Sequence, residues 1–220
     1  MRIEIIQFDH NVAAGTYGDS LEKWGIECRY LKPDHMEPLQ FEQTDGFVLL
    51  GGHMGVGDRQ KYPLLNRFHE LLPNLVEQNK PLLAICLGAQ LLADALGGKA
   101  TAGTRGERSV QAIELTEAGS ADPLFAGLPN PFLSFQWHND SFDLPETAIN
   151  LASSNVCPAQ AFRCRNAYGL QFHPEVNESI IAEWCARARV DDTALNEFRS
   201  VREEYQKTSQ TILKNFVKML

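Results

Sequence analysis

The sequence predicts an α/β fold with a parallel sheet at its centre. Two observations carry that prediction. Residues 47–50 and 81–85 are short, continuous apolar runs rather than alternating ones, as strands covered on both faces are. Stretches with apolar residues at helical spacing lie between and after them, so strand and helix alternate.

Residues 3–8, with Ile3, Ile5 and Ile6, read as a first strand. Residues 16–24 are weakly amphipathic, and residues 26–31 look like a second strand. The run at 47–50 stops at Gly51-Gly52. Pro63 then opens a helix whose apolar stripe is Leu64, Leu65, Phe68, Leu71, Leu72, Leu75 and Val76. The strand at 81–85 passes with almost no loop into a helical pattern at 87–96, closed by Gly97-Gly98. The middle is different. Short strand-like pieces at 110–115, 132–135, 149–152, 160–163 and 168–172 are separated by turn residues, which suits an antiparallel extension of the same sheet. Residues 179–188 and 194–220 are helical. Leu195, Phe198, Val201, Tyr205, Ile212, Phe216 and Leu220 give the second an apolar face, which reads as a helix packed on the body of the protein. No repeat or linker interrupts the pattern, so residues 1–220 read as one domain.

Composition narrows the function. The chain has 220 residues, 44% of them hydrophobic and 22% charged, which is globular. A formal charge of −8 argues against a dedicated binder of nucleic acid or anionic membrane. Five cysteines are present, none spaced C-x-x-C, so neither a zinc knuckle nor a disulfide scaffold is expected. Charged Arg2, Glu4 and Asp9 stand where a signal peptide needs an apolar run, and no stretch is long enough to span a bilayer. The expected compartment is a reducing cytoplasm.

Cys86 sits on the turn between a buried strand and a helix. A sharp turn there projects one side chain above the sheet, as a nucleophile elbow does. The helix N-terminus supplies positive potential and free N–H groups, and Gly88 allows tight backbone packing. The other four cysteines read as small core hydrophobes. A proton acceptor is offered by His173, where an apolar strand ends. Glu175 follows two positions later and, in extended chain, points to the same side. It can therefore receive one ring N–H of His173 while the other nitrogen faces Cys86. Gly51-Gly52 at a strand end lets backbone approach a ligand, and an N–H there with that of Leu87 can form an oxyanion hole.

Together these residues resemble a family. Cys86-Leu87-Gly88-Ala89-Gln90 matches C-x-G-x-Q, and Phe172-His173-Pro174-Glu175-Val176 matches F-H-P-E-V, with Gly51-Gly52 upstream in the right order. The chain is similar to class I, triad-type glutamine amidotransferases. Tyr62-Pro63-Leu64-Leu65, Asp122-Pro123-Leu124-Phe125, Gln136-Trp137-His138-Asn139-Asp140 and Leu151-Ala152-Ser153-Ser154 extend the likeness to the stand-alone branch resembling the glutaminase domain of GMP synthase. The resemblance implies a flavodoxin-like sandwich and hydrolysis of glutamine to glutamate and ammonia, without metal or organic cofactor. It implies Cys86 as nucleophile, His173 as base and acid, Glu175 as orienting carboxylate, and Gly52 and Leu87 as oxyanion-hole donors. Gln90 would hold the amino-acid end of the substrate, and His138, Asn139 and Asp140 would line that pocket.

Three departures stand out. His53 replaces the Pro that often follows the double glycine. Glu107-Arg108-Ser109 stands where the branch commonly shows Glu-Ile-Gly. Asn139 interrupts a His-Gly-Asp pattern, and its tolerance of left-handed backbone implies little change. Residues after Glu175 lack a phosphate-binding glycine loop, so a nitrogen acceptor would be a separate synthase subunit. The alternatives are a γ-glutamyl peptide or amide hydrolase with the same residues, and a non-catalytic regulatory or binding module.

Overall fold

A computed structural model describes residues 1–34 and 38–220 of the chain. In chain order the elements are β1 (Arg2–Ile6), α1 (Gly15–Lys23), β2 (Glu27–Leu31), β3 (Gly46–Leu49), α2 (Pro63–Glu77), β4 (Leu82–Ile85), α3 (Leu87–Ala95), β5 (Lys99–Thr101) and β6 (Glu107–Leu115). There follow α4 (Glu117–Ala121), β7 (Phe132–His138), β8 (Ser141–Asp143), β9 (Ile149–Ser153), β10 (Ala161–Cys164), β11 (Ala167–Leu170), α5 (Glu178–Ala188) and α6 (Thr193–Val217).

Among the described residues, nine strands form one sheet in the order β2-β1-β3-β4-β11-β10-β9-β6-β7. The half from β2 to β11 is parallel, with the strand order of a flavodoxin-like sheet. The half from β11 to β7 is antiparallel. Both faces of the parallel half are covered, which explains the unbroken apolar runs. Val48, Leu50, Leu83 and Ile85 pack in one core with α1, α5 and α6. Phe47, Leu49, Leu82 and Ala84 pack in the other with α2 and α3.

Three differences from the sequence expectation bear on the site. β6 begins at Glu107 rather than Val110, and β7 runs to His138 rather than Phe135. The added residues are largely polar and carry no apolar pattern. Pairing Glu107 with His138, Arg108 with Trp137 and Ser109 with Gln136 makes them strand. The short pair β5–β8 also escaped the pattern, since three-residue strands joined across 40 positions leave no local period. Helix α6 lies against β6, β7 and α5, with Leu195, Phe198, Tyr205, Ile212 and Phe216 buried. Among the described residues no helix is long and apolar enough to cross a membrane.

Candidate active site

Register brings the site together. β3, β4 and β11 are neighbours, with Leu49 opposite Ala84 and Ile85 opposite Leu170. The residues just past their C-terminal ends are Gly51-Gly52, Cys86 and His173, so positions far apart in sequence meet above one sheet edge. Cys86 has φ 50° and ψ −109°, a sparsely populated backbone state. Its N–H donates to the Leu170 carbonyl at 2.7 Å and its own carbonyl accepts from Gln90 N–H at 2.9 Å. These bonds hold the strained turn at the start of α3. Gly88 is needed there, because a Cβ would stand 2.7 Å from the Leu49 carbonyl oxygen.

His173 and Glu175 are both buried, and His173 Nδ1 lies 2.7 Å from Glu175 Oε1. The His173 ring and Cys86 line the same cavity, and the charge on Cys86 acts on the ring. A Cβ at Gly51 would approach His173 Cε1 to 3.2 Å and Cys86 Cβ to 3.6 Å, so that glycine lies over both. Burial opposes a charged imidazole, but Glu175 and Cys86 outweigh it and raise His173 from 6.5 to about 10. Trp184 meets the ring edge-on, with centroids 4.9 Å apart.

The backbone carrying these groups is pinned from three distant parts of the chain. His173 N–H donates to the Phe135 carbonyl at 2.8 Å, and Thr16 N–H donates to the Glu175 carbonyl at 2.8 Å. Tyr205 on α6 donates its hydroxyl to the carbonyls of His173 at 2.8 Å and Val176 at 3.3 Å. Ser209, one turn later, donates to Pro174. The tail helix thus braces the histidine loop as well as closing the core.

Gly52 sits beside Leu87: a Cβ on Gly52 would meet Leu87 Cδ2 at 2.8 Å. The next residue, His53, is tied twice to the buried carboxylate of Asp9. Its ring Nδ1 is 2.6 Å and its backbone nitrogen 3.2 Å from Asp9 Oδ2. Burial opposes the Asp9 charge, but the Asn11 N–H and His53 more than offset it and hold Asp9 below its usual range.

Two cavities meet at Cys86, Gly52, His53 and Trp137. One, about 350 Å³, is completed by His173, Trp184, Arg187 and Asp9. The other, about 230 Å³, lacks His173 and is completed by Gln90, Arg108, His138, Asn139 and Asp140. The four residues expected at the substrate's amino-acid end therefore share one cavity. Gln90 gives its amide nitrogen to the Asp140 carbonyl at 3.1 Å, and its Oε1 has no partner among the described residues. His138 Nδ1 is 2.9 Å from the Asp140 carbonyl, and its Nε2 is 3.3 Å from Glu107 Oε2. Ser154 and Gln160 donate to the same Glu107 carboxylate, which is buried beside His138. Sequence reading missed Glu107, Asp9 and Trp184 as site residues. Their partners His138, His53 and His173 lie 31, 44 and 11 positions away, and only folding joins them. Among the described residues no three His, Cys, Asp or Glu side chains converge as a metal site requires.

The family model described as glutamine amidotransferase class-I matches residues 8–183. The chain belongs to that family. It is 41% identical over 158 residues to a Pyrococcus abyssi protein named as a glutamine-hydrolysing subunit of GMP synthase, covering 69% of this chain and 78% of the relative. Over 181 residues it is 31% identical to a glutamine amidotransferase-like protein of Salmonella typhimurium, covering 80% of this chain and 76% of that one. A crystal structure of a glutamine amidotransferase from Thermotoga maritima superposes with a TM-score of 0.88 at 28% identity, covering 100% of this chain and 97% of that one.

In this chain the three departures acquire physical meaning. Proline has no N–H to donate, whereas His53 uses its N–H and its ring to fasten the loop after Gly52 to Asp9. Ser109 keeps the left-handed backbone that glycine favours, at φ 74°, and its hydroxyl bonds Glu197 on α6. Asn139 is not left-handed, so the tolerance credited to it is not used; Arg105 and Ser109 carry the positive φ values nearby.

Proposed function

We propose that this chain hydrolyses the side-chain amide of glutamine through a γ-glutamyl thioester on Cys86, residues 1–220 acting as one unit. The observation that carries this reading is the placement of Cys86 beside an imidazole that Glu175 holds at 2.7 Å, at the meeting point of two cavities.

In the first half-reaction the Cys86 thiolate bonds the amide carbon while His173 carries the proton. The carbonyl oxygen becomes an oxyanion held by the N–H groups of Gly52 and Leu87, each contributing about 3 kcal/mol. As the carbon–nitrogen bond breaks, His173 gives up the proton and ammonia leaves. Water then attacks the thioester, His173 takes its proton, and the carbon–sulfur bond breaks to release glutamate and the Cys86 thiolate. Glu175 fixes which ring nitrogen faces the sulfur. Membership of the family and the Pyrococcus abyssi relative, which is named as glutamine-hydrolysing, support glutamine as substrate. That the relative is named as one subunit of a synthase supports a separate protein that takes the ammonia.

One observation favours a second reading. The larger cavity is the one that His173 lines, so the departing nitrogen can carry more than hydrogen, as in a γ-glutamyl peptide or amide. A panel of glutamine, γ-glutamyl peptides and γ-glutamyl amides separates the two. Cys86→Ala is expected to abolish release of ammonia from glutamine with the fold intact; undiminished turnover would refute the assignment.

A further inference from the structure

General acid chemistry divides the cleft into two ends. Whatever nitrogen leaves must stand beside His173, so the leaving group belongs to the cavity that His173 lines. The rest of the γ-glutamyl substrate must then lie in the other cavity, which His173 does not line. The far end of that segment is an α-amino acid head, with an ammonium and a carboxylate on one carbon.

The second cavity carries charges that fit such a head. Arg108 is paired across the β6–β7 ladder with Trp137, and its guanidinium carbon lies 5.1 Å from the centroid of that ring. Stacking of this kind leaves the in-plane N–H fork available for a carboxylate. Among the described residues the Arg108 guanidinium has no ion pair and no hydrogen bond, whereas Arg187, which lines the other cavity, is bound to Glu183. Asp140 lines the same cavity as Arg108 and is not paired with it; one of its oxygens accepts from Gly103 N–H at 2.8 Å. Gln90 offers an unpartnered carbonyl oxygen beside it. A cation and its opposing acceptors are thus kept apart in one cavity, the pattern an amino acid zwitterion complements.

We propose that Arg108 is the specificity residue that binds the α-carboxylate of the γ-glutamyl substrate, with Asp140 and Gln90 Oε1 facing its ammonium. This rests on the glutamine reading above. The carboxylate grip is supplied by the cavity that Arg108 lines. It makes the enzyme demand a free α-carboxylate, and so excludes γ-amides buried inside a peptide chain.

Binding to the full-length Cys86→Ala protein, in which the amide stays intact, tests this by calorimetry. The ligands are L-glutamine and 4-aminobutanamide, which is glutamine without its α-carboxylate. Adding Arg108→Gln is expected to weaken L-glutamine by roughly ten- to a hundredfold and to leave 4-aminobutanamide unchanged, while Arg108→Lys recovers part of the loss. The change in the ratio of the two affinities is something a merely structural role of Arg108 would not produce. Equal weakening of both ligands would show a packing role and overturn the proposal. An unchanged affinity for L-glutamine would overturn it too. If the protein with Arg108 intact binds neither ligand, the glutamine reading itself fails and takes this proposal with it, an outcome distinct from a loss confined to the Arg108 variants.

Discussion

Replacing Tyr205 with Phe removes a single oxygen from the helix that braces the histidine loop. That hydroxyl donates to the carbonyls of His173 and Val176 in a buried setting. The ring itself is retained, including its edge contact with Phe198 at 4.8 Å. Losing a buried donor and stranding its acceptors costs about 1–3 kcal/mol. For a chain of this size each kcal/mol lowers Tm by roughly 2–4 °C, so a fall on the order of 5 °C is expected. The catalytic effect is separate. His173 is held from below by Phe135 and from behind by Tyr205, and freeing one side lets the imidazole drift from the sulfur. Displacements of about 1 Å at a reacting group cost up to about a hundredfold in rate. A drop in kcat of about tenfold with KM little changed is therefore expected, read by thermal unfolding and by ammonia release from glutamine. Ser200→Ala is the control, since that exposed hydroxyl on the same helix bonds only its own turn. If Tyr205→Phe matches Ser200→Ala in both Tm and kcat, the brace does not exist.

Other substitutions probe other parts of the site. Gly88→Ala places a methyl 2.7 Å from the Leu49 carbonyl oxygen and is expected to cost about 1–3 kcal/mol and distort the elbow, whereas Gly57→Ala meets nothing within 4 Å and should be near neutral in thermal unfolding. For His173 the folded value lies above the unfolded one, so its contribution to stability is complete below about pH 6.5 and is lost as pH rises through about 10. Glu175→Gln removes the carboxylate charge that does most to keep the imidazole protonated, leaving burial to oppose it. The urea midpoint of the variant should therefore fall less than that of the parent between those pH values. A parallel fall in both proteins would contradict the assigned cause.

The parallel half of the sheet was legible because its strands are buried on both faces, and a short continuous apolar run such as residues 47–50, closed by a double glycine, is what such a strand requires. The Cys86 elbow was legible because no loop separates β4 from α3. His173 and Glu175 were legible because a spacing of two in extended chain is a local property. What stayed hidden was long-range. Nothing in residues 82–85 says that their neighbour is the segment at 167–170. The Asp9–His53 tie and the Glu107–His138 pair depend on loops and register that local pattern does not encode. Arg108 was visible only as a departure in the pocket wall, and its place over Trp137 came from β6 starting three residues early. Trp184 read as one more apolar position on a helix, yet it closes the cleft beside His173.

The most direct test of the central claim is to treat the protein with a glutamine-derived diazoketone, in which the carbon that loses nitrogen captures an attacking sulfur, and to map the adduct by peptide mass. One adduct on Cys86 is expected, with none on Cys28, Cys157, Cys164 or Cys185, and with protection by L-glutamine. Label spread over the other thiols, or a Cys86 that stays unmodified while another residue is captured, would contradict it.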